Sequence, residues 1–141
     1  MIRLENISED NFYKCINSKF AEYCAPNMYS LAQAYLYPVA KPFCLFNDDE
    51  YVGFVMYLRD PDDNEVWIWR FNIDEKFQGK GYGRKGMEEV LKRIIDEYDD
   101  LDKIYLSTEP ENEKAIKLYE SLGFINTGKV EEGEVVFIKK I

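Results

Sequence analysis

A strand-like run from Glu65 to Asp74 leads into Gln78-Gly-Lys-Gly-Tyr-Gly83, and an amphipathic helix is predicted from Tyr82 to Tyr98. Glycines at alternate positions leave backbone N–H groups uncovered at a helix N-terminus, which is a seat for phosphate or pyrophosphate. The helix follows from periodicity: Met87, Val90, Leu91, Ile94, Ile95 and Tyr98 form one apolar stripe, with Glu88, Glu89, Lys92, Arg93 and Glu97 opposite. Gln78 adds a hydrogen-bonding side chain, and Lys80, Arg84 and Lys85 add positive charge beside the amides. Gly81-Tyr-Gly-Arg-Lys-Gly86 also satisfies the dinucleotide fingerprint G-x-G-x-x-G. That fold needs several crossover units, and only one is visible here. No G-x-x-x-x-G-K-[ST] loop occurs. A turn serving chain geometry alone is the remaining alternative, against which stands the conformational cost of each glycine.

The rest of the chain reads as strands at Ile2–Asn6, Phe43–Phe46 and Tyr51–Leu58, and helices at Glu9–Phe20 and Ser30–Tyr37. After the central helix come a strand at Lys103–Ser107, a helix at Glu113–Ser121, and strands at Phe124–Thr127 and Glu134–Lys139. Hairpins first and a crossover helix later predict an α+β fold, a mixed sheet flanked by helices. With 141 residues and no linker or repeat, one domain over residues 1–141 is expected. No apolar run reaches membrane-spanning length and no signal-peptide pattern opens the chain, so a cytoplasmic location is expected. The three cysteines, Cys15, Cys24 and Cys44, lack C-x-x-C spacing, and there is no histidine; neither a disulfide framework nor a metal site is expected. Eighteen basic against 27 acidic side chains give a net charge of -9, which repels nucleic acid and anionic membranes. The same field draws in a polycationic small molecule, although acidity also serves plain solubility.

Gln78, Gly81 and Gly83 fit Q/R-x-x-G-x-G/A, the acetyl-coenzyme A loop of the Gcn5-related N-acetyltransferases, which this chain resembles. A second segment, Leu106 to Phe124, is similar to that family's strand, N-x-x-A-x-x-x-Y helix and G-F strand start, with Asn112, Ala115 and Tyr119 at the named positions. The resemblance is good from about Tyr51 to Thr127 and looser before. It implies a mostly antiparallel, twisted sheet flanked by helices, acetyl-coenzyme A as co-substrate, and often a homodimer. Trp67 to Asp74 and Ala25 to Tyr35 are similar to bacterial spermine/spermidine (diamine) acetyltransferases, which implies a small cationic amine as acceptor.

By that resemblance Phe71 and Ile73 hold the cofactor through main chain, Gln78, Gly79, Lys80, Gly81, Tyr82, Gly83 and Arg84 take its pyrophosphate, and Asn112 and Ala115 complete the site. Asn112 reads equally as a helix N-cap. An alkyl ammonium with pKa ~10.4 must lose a proton before attack, charge on the thioester oxygen needs a main-chain donor, and the departing thiolate needs a proton. Tyr119 is the expected donor to sulfur, with core packing as the alternative reading. In several relatives a strand carboxylate is the base, but Trp67 and Trp69 stand at the comparable places. Glu109 is the preferred carboxylate; interaction with the helix N-terminus, a water chain or an already neutral substrate are alternatives. Glu22, Tyr29, Trp67 and Trp69 are candidate acceptor-site residues, the aromatic rings offering faces for an ammonium group. No cysteine lies in either motif, so direct transfer in a ternary complex is expected. Acetylation of protein N-termini, lysines or aminoglycosides, and a silent acyl-coenzyme A sensor, are the competing functions.

Overall fold

The computed structural model describes residues 1–20 and 25–141. In chain order the elements are β1 (Ile2–Asn6), α1 (Glu9–Ile16), α2 (Asn27–Leu36), β2 (Lys41–Asn47), β3 (Glu50–Arg59), β4 (Val66–Ile73), α3 (Tyr82–Glu97), β5 (Lys103–Thr108), α4 (Glu113–Ser121), β6 (Ile125–Glu131) and β7 (Glu134–Lys140). A 3-10 turn spans Glu75–Phe77. The strands form one sheet in the order β1-β2-β3-β4-β5-β7-β6. The pair β4–β5 is parallel and the other five pairs are antiparallel, which is the expected mixed architecture.

The hairpins follow from their turn residues. Asp48 and Asn64 take left-handed backbone angles, φ 55 and 62, that short polar side chains tolerate. Asp60 and Asp63 carboxylates accept the main-chain N–H groups of Asp62 and Glu65 at 2.9 and 2.8 Å, folding the β3–β4 turn on itself. At the β6–β7 tip, Glu132 (φ 49) and Gly133 (φ 81) are both left-handed, the backbone a two-residue hairpin turn requires.

Strand alternation sorts the apolar residues to two faces. Val55 and Tyr57 of β3, Val66 and Ile68 of β4 and Ile104 and Leu106 of β5 pack beneath Met87, Val90, Leu91 and Ile94 of α3. Phe54, Met56 and Leu58 point the other way and join Cys15 of α1 and Cys44 of β2. Every residue from Tyr51 to Leu58 is therefore buried, and each large apolar side chain so removed from water contributes roughly 1.5–3 kcal/mol.

Three boundaries differ from expectation by three residues or more. Helix α1 stops at Ile16, not Phe20, because Ser18 Oγ donates to Asp74 Oδ2 at 2.9 Å and the Lys19 carbonyl accepts from Glu75 N–H at 2.7 Å, tying this stretch to the end of β4. Helix α2 starts at Asn27, whose buried amide donates to the Cys15 carbonyl at 2.9 Å and the Tyr51 hydroxyl at 3.2 Å. Strand β6 runs on to Glu131 because pairing with β7 resumes at Val130 after an irregularity containing Gly128 (φ 79).

Candidate acetyl-transfer site

An extra residue in β4 creates the site. Met56 faces Arg70 while the next residue, Tyr57, faces Ile68, so Trp69 has no partner in the register. Such a bulge bends its strand and re-aims the side chains beyond it. Val66 and Ile68 lie on the α3 face, Trp69 on the α2 face, and Phe71 and Ile73 return to the α3 face. Pairing with β5 covers Val66, Trp67 and Ile68, whereas β5 stays paired with β7 as far as Thr108. Beyond Ile68 the two parallel strands part and a wedge opens.

The wedge exposes main chain. Asp74 N–H donates to the Val52 carbonyl at 2.8 Å, so the even-numbered residues here turn toward β3. The Ile73 carbonyl instead accepts Gln78 Nε2 at 3.1 Å. An extended residue aims its N–H and C=O at one edge, and residues two apart share it. Ile73 and Phe71 therefore turn their amides into the wedge.

The loop after β4 closes one end. Gly79 (φ 79) and Gly81 (φ 82, the N-cap of α3) have backbones that side chains disfavour, and a Cβ built on either meets nothing within 4 Å. First-turn amides of a helix have no intrahelical partner, so those of α3 stand free with the positive end of the helix dipole behind them. Arg84 Nη1 donates to Ser121 Oγ at 2.8 Å, bracing α3 on α4. The motif asparagine caps α4: Asn112 Oδ1 accepts Ala115 N–H at 3.4 Å and its Nδ2 donates to Thr108 Oγ1 at 3.2 Å. That cap orients the helix carrying Tyr119, which is buried with its ring edge-on to Phe124 at 5.9 Å.

Two cavities meet in the wedge. The smaller, about 320 Å³, is lined by Phe71, Ile73, Gln78, Gly79, Gly81, Gly83, Arg84, Asn112, Ala115 and Tyr119. The larger, about 730 Å³, lies toward α2 between Tyr29, Gln33, Trp69 and Arg70 on one side and Ser107, Thr108, Glu131, Glu132 and Glu134 on the other. Phe71, Asn112 and Tyr119 line both. Free amides, an arginine and left-handed glycines fit a pyrophosphate and a thioester arm in the smaller cavity, leaving the larger for an acceptor.

Other residues singled out from the sequence line neither cavity. Lys80 lies over the Phe77 ring at 5.6 Å, and the Tyr82 hydroxyl accepts Asn47 Nδ2 at 3.2 Å. Trp67 stacks on Tyr105 at 5.0 Å and donates to Glu65 Oε1 at 3.3 Å, while Trp69 alone of the two tryptophans reaches the acceptor cavity. Burial and the Glu65 carboxylate push the Tyr105 hydroxyl up to about 12, so Glu65 is engaged there. Glu109 follows β5 and accepts Asn112 N–H at its carbonyl, 3.0 Å, with its side chain outside both linings. Glu22 lies outside the described residues.

Sequence reasoning missed Gln33, Arg70, Ser107, Thr108 and the three hairpin glutamates. Arg70 donates to Gln33 Oε1 and to the Trp69 carbonyl, each at 2.9 Å, so the bulge is pinned to α2. Glu131-Glu-Gly-Glu134 carries a legible turn signal, but nothing local says that its tip overhangs β5. Among the described residues there is no group of three or more His, Cys, Asp or Glu able to hold a metal, and no helix long and apolar enough to cross a membrane.

The chain is 37% identical over 108 residues to a spermine/spermidine N(1)-acetyltransferase of Bacillus subtilis, covering 72% of this chain and 70% of that protein. A chimera of the Vibrio cholerae spermidine N-acetyltransferase with a second protein superposes with a TM-score of 0.78 at 19% identity, over 99% of this chain and 95% of the other. An N-acetyltransferase of Thermoplasma acidophilum, solved with coenzyme A, superposes with a TM-score of 0.73 at 12% identity, over 100% of this chain and 99% of that one. The profile of the acetyltransferase (GNAT) family matches residues 2–124. With the parted strands, the glycine loop and the capped tyrosine helix all in place along that match, the chain belongs to the GNAT family of acetyltransferases.

Proposed function

We propose that this acetyltransferase moves the acetyl group of acetyl-coenzyme A onto a primary amine of a polyamine such as spermidine or spermine, directly within a ternary complex. The observation that carries this reading is the acceptor cavity. Glutamates 131, 132 and 134 stand opposite Tyr29 and Trp69, and the cavity opens on Tyr119. Carboxylates attract alkyl ammonium groups, and aromatic faces stabilise them further. The name of the Bacillus relative supports the same acceptor class.

In this reading the loop amides and Arg84 hold the pyrophosphate, and the Ile73 and Phe71 amides hold the thioester arm. One of those amides faces the carbonyl oxygen as negative charge develops there, an arrangement worth about 3–4 kcal/mol per donor. Tyr119 donates to the leaving sulfur, its hydroxyl supplying the proton or hydrogen bond that the thiolate needs as the C–S bond breaks. Among the described residues, Cys15 and Cys44 are buried and line neither cavity, which supports direct transfer over an acyl intermediate on either of them; Cys24 lies outside the described residues.

The test is thiol release from acetyl-coenzyme A with spermidine, spermine, putrescine, N-terminal and lysine peptides, and aminoglycosides. The expected result is highest kcat/KM for spermidine and spermine, with Tyr119→Phe lowering kcat about 100-fold while cofactor affinity by calorimetry is retained. Preference for a peptide or aminoglycoside would replace the acceptor. Cofactor binding without turnover on any amine would favour an acyl-coenzyme A sensor.

A further inference from the structure

We propose that the Glu134 carboxylate is the base that takes the proton from the attacking amine. The inference rests on the amine-acetylation reading. Glu134 opens β7, which lies between β5 and β6. Its Oε1 accepts Ser107 Oγ at 2.6 Å across the β5–β7 boundary. That bond orients the carboxylate against the strand ending at Thr108, beside the wedge. Among the described residues Glu134 forms no ion pair with Lys or Arg, so its charge is available to an incoming ammonium. Glu131 and Glu132 share the cavity wall but are solvent-exposed on the hairpin, whereas Glu134 is half-buried. Glu109, favoured by sequence position, lines neither cavity.

The step balances without a further reactant. The ammonium passes one proton to Glu134, which later releases it to solvent. The amine lone pair forms the N–C bond to the acetyl carbonyl carbon, and the C–S bond breaks with its electrons on sulfur. Tyr119 protonates the sulfur and recovers a proton from the acylated nitrogen. The products are an acetamide, coenzyme A thiol and one proton.

The pH dependence separates a base from a mere binding group. With a base, ionised enzyme and ammonium carry the same number of protons as the reactive complex. The observed kcat/KM is then level wherever the carboxylate is ionised and the amine still protonated, the amine range lying near ~10.4. Without the base, reaction needs the free amine, whose share rises tenfold per pH unit below ~10.4. Glu134→Gln keeps the size and the Ser107 hydrogen bond. Its kcat/KM for spermidine should rise about tenfold per unit from pH 7 to 9 while the parent stays level, so the deficit shrinks about 100-fold across that interval. A ratio independent of pH reports a binding role and overturns the base. Acquisition of the slope by Glu109→Gln in place of Glu134→Gln overturns it equally. Parent protein that binds acetyl-coenzyme A but acetylates no amine overturns the acetylation reading and the base together.

Discussion

Gly81 shows how one residue sets the cofactor end of the site. Its backbone is left-handed, and the place a side chain would fill is open, so no packing excludes a methyl group there. Gly81→Ala is therefore a test of backbone conformation: the left-handed strain is about 1–2 kcal/mol. It should lower the thermal midpoint by several degrees and weaken coenzyme A binding roughly tenfold as the loop relaxes away from φ 82. Calorimetry showing unchanged affinity would remove this loop as the pyrophosphate seat. Glycine freedom and the Asn112 cap were legible because each is settled within a few residues. Glu109 stands at the end of the strand after the central helix, which makes it the carboxylate the sequence favours, but the turn before α4 leaves its side chain outside both cavities.

Elements meet through contacts that no periodicity encodes. The end of α3 is tied to β2 and β3 by Glu97, which pairs with Lys41 and accepts the Tyr57 hydroxyl at 2.9 Å. Burial alone would raise the Glu97 carboxyl, but the Lys41 and Tyr57 hydrogen bonds and the Lys41 charge outweigh it and hold it below the ordinary value. A carboxylate lowered by folding stabilises the protein above its unfolded value near ~4.3 and loses that contribution as pH falls through the folded value. Glu97→Gln should destabilise by about 1 kcal/mol at pH 7, discounted for the partial exposure of the pair. Urea unfolding should show that difference shrinking from pH 5 to 3; a constant difference would mean packing, not charge. Periodicity located α3 closely, whereas the end of α1 was missed because Ser18 answers to Asp74, 56 residues away. The β4 bulge was equally illegible: it is a matter of register with β3, and Trp69 and Arg70 look like ordinary strand residues.

At the scale of the molecule, the net charge of -9 and the glutamate-walled acceptor cavity act in one direction on a polycation. Raising salt shortens the screening length from about 10 Å at 0.1 M to about 3 Å at 1 M. The kcat/KM for spermidine should fall several-fold over that range, while that for a monoamine of similar size should fall less. Equal sensitivity of the two amines would show that the field does not select for polycations. Charge, element order, the glycine loop and the tyrosine helix were readable along the chain, since composition, helix periodicity and backbone freedom are local properties. Strand pairing decided the rest. It parts β4 from β5 to expose the Phe71 and Ile73 amides, and it brings Glu134 to Ser107 across 27 residues of chain, because hydrogen-bond register between strands is settled by the whole sheet at once.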